Sequence, residues 1–166
     1  MGEYQHVKHE FAPVYNRESR ILILGSLPSV KSREQGFYYG HPRNRFWKVL
    51  SCILDTPLPQ TIEDKKIMLL KHGIAVWDVI QECDIVGSSD SSIKNVQPAQ
   101  LQKILDTASI RAIYGNGKTA TRLYQKYQQP QTGMVIRELP STSPANAAYS
   151  LERLIEIWKA AIQGTI

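Results

Sequence analysis

The stretch that decides the fold is Arg20-Ile-Leu-Ile-Leu-Gly25. Its four consecutive apolar residues do not alternate with polar ones, which predicts a strand buried on both faces and ended by Gly25. Three more short apolar runs predict strands at 74–80, 110–114 and 134–139. Apolar residues at helical spacing, or start and stop signals, predict helices at 44–54, 61–72, 98–107, 118–127 and about 143–163.

Strands that alternate with helices are typical of parallel βαβ units. The sequence therefore predicts an α/β fold, a three-layer α/β/α sandwich with a central, mainly parallel four-stranded sheet, built as one domain over residues 1–166. In such sheets a ligand binds beyond the carboxyl ends of the strands. This rule selects four segments: the loop from Ser26, the stretch after Ile80, the turn 115–117 and the segment 139–146.

Signals at the ends of the helices sharpen their predicted bounds. Pro98 is expected in the first turn of one helix, and Ser143 is expected to cap the last helix with Pro144 following it. Gly73 is expected to stop the helix over 61–72. The inner face of that helix is predicted to carry Ile62, Ile67, Leu69 and Leu70.

Composition limits the class of protein. The 166 residues are 42% hydrophobic and 21% charged, as in an ordinary globular domain, which excludes a disordered or fibrous chain. The net charge of +5 fits a polyanionic partner such as nucleic acid, and equally a solvated lysine-rich surface. Two cysteines outside any CxxC pair and four scattered histidines predict no metal site.

Targeting signals are also missing from the sequence. No apolar run is long enough to span a membrane, and the first residues lack the apolar core of a secretory signal. We therefore expect an intracellular, cytoplasmic protein without a membrane partner, associated with the nucleoid if the source is prokaryotic.

Two glycine-containing turns follow predicted strands. Backbone amides in Gly25-Ser-Leu-Pro-Ser29 could point at a carbonyl or phosphate of a ligand, although a plain strand-to-helix turn explains the same residues. The GxGxxG dinucleotide motif is absent. Gly117-Lys118-Thr119 resembles the end of a phosphate-binding P-loop, but Ala112 stands where that motif requires glycine, so a P-loop is excluded.

The segment 36–47, GFYYGHPRNRFW, concentrates aromatic rings and arginines. Rings stack on bases, and Arg binds phosphate or stacks as well. The competing interpretation is an aromatic core segment next to a helix start, with Asn44 as the cap and Phe46 and Trp47 in the core. Tyr38, Tyr39 and His41 fit that interpretation less well, because they precede the helix.

The segment 139–146, LPSTSPAN, precedes the last predicted helix. Small hydroxyl residues and free amides at a helix N-terminus suit a phosphate or another anion. Simple capping of the helix by Ser143 is an equal alternative at this point.

Taken together, GSLPS at 25–29, GFYYGHPRNRFWKVL at 36–50 and LPSTSPANA at 139–147 resemble the uracil-DNA glycosylase superfamily. The resemblance covers residues 18–162 and is strongest to the hypoxanthine-DNA glycosylase branch, with mismatch-specific uracil-DNA glycosylases as near relatives. Two positions depart from most relatives. Leu27 stands where the mismatch-specific enzymes carry a water-positioning Asn, and Leu139 stands where other relatives carry His.

The hypoxanthine branch resembles this sequence at both positions and is thought to use the Asn of HPxN, which is Asn44 here. The resemblance thus implies a monofunctional glycosylase of base excision repair that hydrolyses the N-glycosidic bond of a flipped deaminated base, foremost hypoxanthine. Asn44 would orient the water through its amide oxygen. A uracil-specific or broad-range glycosylase, and a non-catalytic DNA-damage-binding module, are the alternatives.

The resemblance also assigns the remaining site residues and partners. The enzyme would act as a monomer on DNA containing deaminated bases, without a cofactor or metal. Asp78 and Asp90 stay open as acids or water holders, and the loop 87–92 as a pocket wall or a plain loop. The base pocket is assigned to Gly25, Ser26, Leu27, Pro28, Ser29, Tyr39 and Asn116, and DNA contacts to His41, Arg43, Arg45, Lys118, Ser141, Thr142 and Ser143.

Overall fold

The computed structural model describes residues 2–166 and contains seven strands and seven helices within them. The strands are β1 (Gln5–Lys8), β2 (Ile21–Gly25), β3 (Ile74–Asp78), β4 (Ile80–Ile85), β5 (Lys94–Pro98), β6 (Ala112–Asn116) and β7 (Ile136–Leu139). The helices are α1 (Val30–Gln35), α2 (Phe46–Leu54), α3 (Ile62–Lys71), α4 (Gln102–Thr107), α5 (Lys118–Tyr127), α6 (Gln129–Thr132) and α7 (Leu151–Ile162).

The predicted parallel sheet is confirmed, with strand order β3-β2-β6-β7. All five residues of β2 are buried, as expected for the central RILILG run. The register pairs Gly25 with Asp78, Leu24 with Gly115, and Asn116 with Leu139. The last residues of the four strands therefore meet at one edge of the sheet.

Neighbouring residues of β6 show that helices flank both faces of this sheet. The Tyr114 hydroxyl donates to the Ala161 carbonyl in α7 at 2.9 Å. A Cβ on Gly115 would instead collide with the Thr121 hydroxyl in α5. Because successive strand residues point to opposite faces, α7 and α5 cover opposite sides of the sheet, which forms the predicted three layers.

A second, antiparallel sheet of order β1-β4-β5 was not predicted. The run 74–80 is divided: β3 ends at Asp78, and β4 begins two residues later in the other sheet. Val79 lies between the two strands, and its N–H donates to the carbonyl of Gly25, the last residue of β2, at 2.8 Å. Strands β1 and β5 are mostly exposed or half-buried, so their sequences carry no apolar run.

Three predictions about the helices were wrong. Pro98 ends β5, and α4 begins only at Gln102. Ile62 and Ile67 of α3 are 39% and 52% exposed, while Met68 and Leu69 are its buried residues. The last helix begins at Leu151, where the Ser150 hydroxyl accepts the Arg153 N–H, so the segment 139–146 is an irregular loop and not a helix N-terminus.

In residues 2–166, no helix is long and apolar enough to cross a membrane. The same residues hold no group of three His, Cys, Asp or Glu side chains placed to bind a metal ion.

Candidate active site

A cleft of about 430 Å³ lies at the carboxyl edge of the parallel sheet. Five loops meet there: the one after β2, the one between α1 and α2 that carries Tyr39 and Asn44, the turn after β6, the loop after β7 and the serine-rich loop near residue 89. The position is the one that the strand-end rule predicts. Every base-pocket residue assigned from the sequence lines this cleft, namely Gly25, Ser26, Leu27, Pro28, Ser29, Tyr39 and Asn116.

The loop after β2 is held in place by its own backbone. The carbonyls of Gly25 and Ser26 accept the N–H groups of Val79 and Ile80 at 2.8 and 3.0 Å. Ser29 then caps the six-residue α1. A Cβ on Gly25 would collide with the Asp78 carboxylate and lie close to the Tyr39 hydroxyl. Glycine is therefore required at position 25 for these two side chains to pack against the loop.

Tyr39 forms one wall of the cleft. Its ring stacks on Phe46 with the ring centroids 4.0 Å apart, and its φ of 53° lies in the left-handed region, which costs a non-glycine residue about 1–3 kcal/mol. Among residues 2–166 the buried hydroxyl has no hydrogen-bond partner. Burial, and then the charge of Asp78, raise the pKa of this hydroxyl, so Tyr39 stays protonated at neutral pH.

Asn44 is fixed by the start of α2 and by the loop after β7. Its amide oxygen accepts the Phe46 N–H at 2.9 Å and the Thr142 hydroxyl at 2.8 Å. Both lone pairs of that oxygen are therefore occupied. Asn44 lines the cleft, and with its oxygen engaged its amide nitrogen is the group that can bind a ligand there, so the predicted role of orienting water through the oxygen does not fit this geometry.

Thr142 is fully buried, which contradicts its predicted contact with DNA. Its hydroxyl donates to Asn44 and accepts from the Asn116 amide nitrogen at 3.0 Å. Its backbone N–H donates to the Asn116 amide oxygen at 3.0 Å. Thr142 thus links two cleft residues that are distant in sequence, Asn44 and Asn116, and it fixes the orientation of both amides.

This linkage predicts a stability effect. Thr142→Val keeps the shape of the side chain and leaves the half-buried amides of Asn44 and Asn116 without their bonds to the hydroxyl, so we expect a loss of about 1–3 kcal/mol in the free energy of unfolding. Thr142→Ser, which keeps the hydroxyl and removes one methyl group, should lose about 1 kcal/mol. Urea denaturation measures both variants, and a valine variant more stable than the serine variant would contradict the linkage.

Arg45 also departs from its predicted contact with phosphate. Its guanidinium donates to the carbonyls of Ser143 and Asn146 at 2.9 and 3.0 Å, to that of Thr142 at 3.4 Å, and to that of Tyr149. These bonds occupy the fork of the half-buried side chain. Arg45 therefore holds the loop after β7 and uses four of its five N–H donors in doing so.

The other residues assigned to DNA lie at or near the mouth of the cleft. Arg43 and Lys118 are exposed, and Lys118 lines the cleft at the start of α5. His41 accepts the Arg43 N–H and shapes the turn before Asn44. Within the loop, Ser141 accepts the Ser143 N–H and Ser143 accepts the Ala145 N–H, so both hydroxyls stabilise turns and Ser143 caps no helix.

Sequence reasoning left Asp78 open as an acid or water holder and missed its partner, His9. Asp78 lines the cleft at the end of β3, and its carboxylate accepts a 2.7 Å hydrogen bond from His9, 69 residues earlier in the chain. His9 lies after β1, the strand that the sequence did not reveal. No local pattern could join the two residues, because their contact depends on how the two sheets pack.

The fold and the cleft agree with the proteins to which this sequence is similar. Residues 12–162 match the uracil DNA glycosylase superfamily, and the protein belongs to that family. A hypoxanthine DNA glycosylase of Methanosarcina acetivorans is 34% identical over 158 residues, which cover 93% of this chain and 97% of the relative. A hypoxanthine DNA glycosylase of Methanosarcina barkeri is 35% identical over 113 residues, which cover 67% and 72% of the two chains.

A solved structure supports the same assignment of the fold. The solution NMR structure of a candidate uracil DNA glycosylase from Methanosarcina acetivorans superposes with a TM-score of 0.79 and 32% identity. The match covers 97% of this chain and 99% of that one.

Proposed function

We propose that this protein is a monofunctional DNA glycosylase that hydrolyses the bond between deoxyribose and hypoxanthine. The observation that carries the proposal is the convergence of Asn44, Asp78 and Asn116 on one cleft at the strand ends. The cleft is built from one chain, which fits a monomer acting on damaged DNA. A base stacked inside a duplex cannot reach the residues that line the cleft, so the target nucleotide must leave the duplex to enter it.

The flipped base stacks on Tyr39. Phe46 backs one face of that ring, which fixes the ring as a rigid platform. Stacking of this kind contributes about 1–3 kcal/mol per base. The strained backbone of Tyr39 is consistent with a residue placed for binding a ligand, since such strain clusters at functional sites.

The edge of the base is recognised by an acceptor and by donors. Hypoxanthine presents a ring N1–H next to its O6 oxygen, whereas adenine presents a bare N1 next to an amino group. The Asp78 carboxylate, on the buried floor of the cleft, accepts the N1–H. Backbone amides of the loop 26–29 donate to O6, where negative charge grows as the base leaves.

Asn44 acts on the leaving group through its amide nitrogen. The transition state has a cationic sugar and an anionic base, so a fixed donor to a ring nitrogen of the base lowers the barrier. One donor of this kind is worth about 3 kcal/mol. The attacking water then needs a different acceptor, and Asp90 at the exposed rim is the second carboxylate that lines the cleft.

Cations at the mouth bind the DNA backbone. Arg43 and Lys118 are exposed beside the cleft and can each neutralise one phosphate. Binding should therefore weaken as salt rises.

A panel of substrates tests the proposal. The protein is incubated with duplexes that contain hypoxanthine, uracil, xanthine or ethenoadenine, and abasic sites are then cleaved with alkali. We expect the hypoxanthine duplex to be cut fastest and no strand breaks before alkali. An unmodified duplex with adenine at the same position, and the Asn44→Asp variant on every duplex, serve as controls.

The outcomes separate the alternatives. Uracil carries N3–H between two carbonyl oxygens, so it also offers a ring N–H to Asp78 and a neighbouring carbonyl oxygen to the backbone amides. Faster release of uracil than of hypoxanthine would therefore identify a uracil glycosylase. Binding of damaged DNA without release of any base would indicate a non-catalytic module. Strand breaks before alkali would show lyase activity and contradict a monofunctional enzyme.

A further inference from the structure

His9 is enclosed next to the floor of the cleft. Its side chain is fully buried, and its ring meets Phe11 and Tyr38 at centroid distances of 5.4 and 5.6 Å. Its Nε2 lies 2.7 Å from Asp78 Oδ2. The aromatic surroundings offer the ring no water, so both ring nitrogens depend on protein partners.

The second ring nitrogen fixes which atom carries the proton. The backbone N–H of Phe11 donates to His9 Nδ1 at 3.2 Å, so Nδ1 must present a lone pair. The hydrogen of the neutral ring therefore sits on Nε2 and is donated to Asp78. This arrangement makes Asp78 the acceptor and the bearer of the negative charge.

The two oxygens of the Asp78 carboxylate have different surroundings. Oδ2 is held by His9, whereas Oδ1 lies against Gly25 and near the Tyr39 hydroxyl, and Asp78, Gly25 and Tyr39 all line the cleft.

We propose that His9 is a positioning residue for base selection: its Nε2–H holds Asp78 so that Oδ1 accepts the ring N–H of the flipped base. The inference rests on the proposed function and goes further than it, since it assigns selectivity to a residue that the base never touches. Without His9, the carboxylate could rotate away from the base or take up a proton and become a donor, which would favour the bare N1 of adenine.

Paired variants of His9 test the inference. His9→Leu removes the donor and keeps an apolar side chain, whereas His9→Gln retains an N–H that can reach Asp78. His6→Ala, an exposed histidine three residues earlier on β1, is the matched control. Single-turnover release of hypoxanthine should fall about tenfold or more in His9→Leu, recover substantially in His9→Gln, and stay unchanged in His6→Ala.

A double-mutant cycle distinguishes positioning from general support of the fold. If His9 acts through Asp78, then His9→Leu should slow release no further in an Asp78→Ala background. Nitrogen NMR of the parent should show His9 with a bare Nδ1 and a protonated Nε2. Additive losses of rate in the cycle, or a proton on Nδ1, would overturn the inference.

The two proposals fail in different ways. A parent that releases hypoxanthine, together with a fully active His9→Leu variant, overturns the inference and leaves the proposed function standing. A parent that releases no hypoxanthine overturns both.

Discussion

Asn44→Asp is expected to fold like the parent and to lose about 100-fold or more of its single-turnover rate on hypoxanthine. The aspartate keeps an oxygen for the Phe46 N–H and the Thr142 hydroxyl, so both structural bonds survive. It replaces the amide nitrogen, the group that can bind a ligand in the cleft, with an oxygen. A donor to the departing anion is lost, and a negative charge takes its place.

This variant separates two roles that Asn44→Ala would confuse. If Asn44 oriented water through its oxygen, as the sequence alone suggested, an aspartate would serve at least as well and the rate would be retained. Thermal unfolding checks that the fold is intact, and DNA binding checks that the substrate still docks. An active Asn44→Asp variant would contradict the donor role, and Asn44→Ala measures the combined loss of the donor and of the bonds from Phe46 and Thr142.

Arg45→Ala is expected to cost about 3 kcal/mol in the free energy of unfolding, because several hydrogen bonds from a charged group to partly buried carbonyls are lost together and such bonds are among the stronger ones. Four carbonyls of the loop after β7 lose their donor together. Excision should fall as well, since Thr142 in that loop orients Asn44. Arg45→Lys should recover only part of the stability, because one ammonium cannot replace the planar fork.

The salt dependence of DNA binding distinguishes this role from a phosphate contact. Arg43→Ala, at the exposed position two residues earlier, should leave stability unchanged and reduce the slope of log affinity against log salt by about 1. Arg45→Ala should lower stability and leave that slope unchanged. A smaller salt slope with unchanged stability in Arg45→Ala would instead show that Arg45 contacts phosphate, as the sequence suggested.

The parallel sheet could be predicted from the sequence because burial on both faces leaves a continuous apolar run, as in RILILG. The rule that ligands bind at strand ends then placed the cleft correctly. The strands at the edges of the antiparallel sheet, β1 and β5, have no continuous apolar run in the sequence. Strand β1 (QHVK) is polar and mostly exposed, and it forms only because β4 lies beside it.

The roles of side chains were harder to predict than their location. Asn44 and Thr142 are 98 residues apart in sequence, and their bond decides which atom of the Asn44 amide is free. Arg45 looks like a phosphate ligand in HPRNRFW until the loop that it binds is known. Motif spacing identifies residues that share a site, but hydrogen-bond partners from distant elements decide what each can donate or accept.

The most direct measurement is a crystal structure of the protein bound to a duplex in which the target nucleotide is 2′-fluoroarabino-inosine, whose fluorine slows loss of the base. The account predicts a flipped hypoxanthine stacked on Tyr39, with N1 about 3 Å from Asp78 Oδ1 and the Asn44 amide nitrogen on a ring nitrogen. A base bound outside this cleft, or one that leaves Asp78 without a contact to N1, would contradict it.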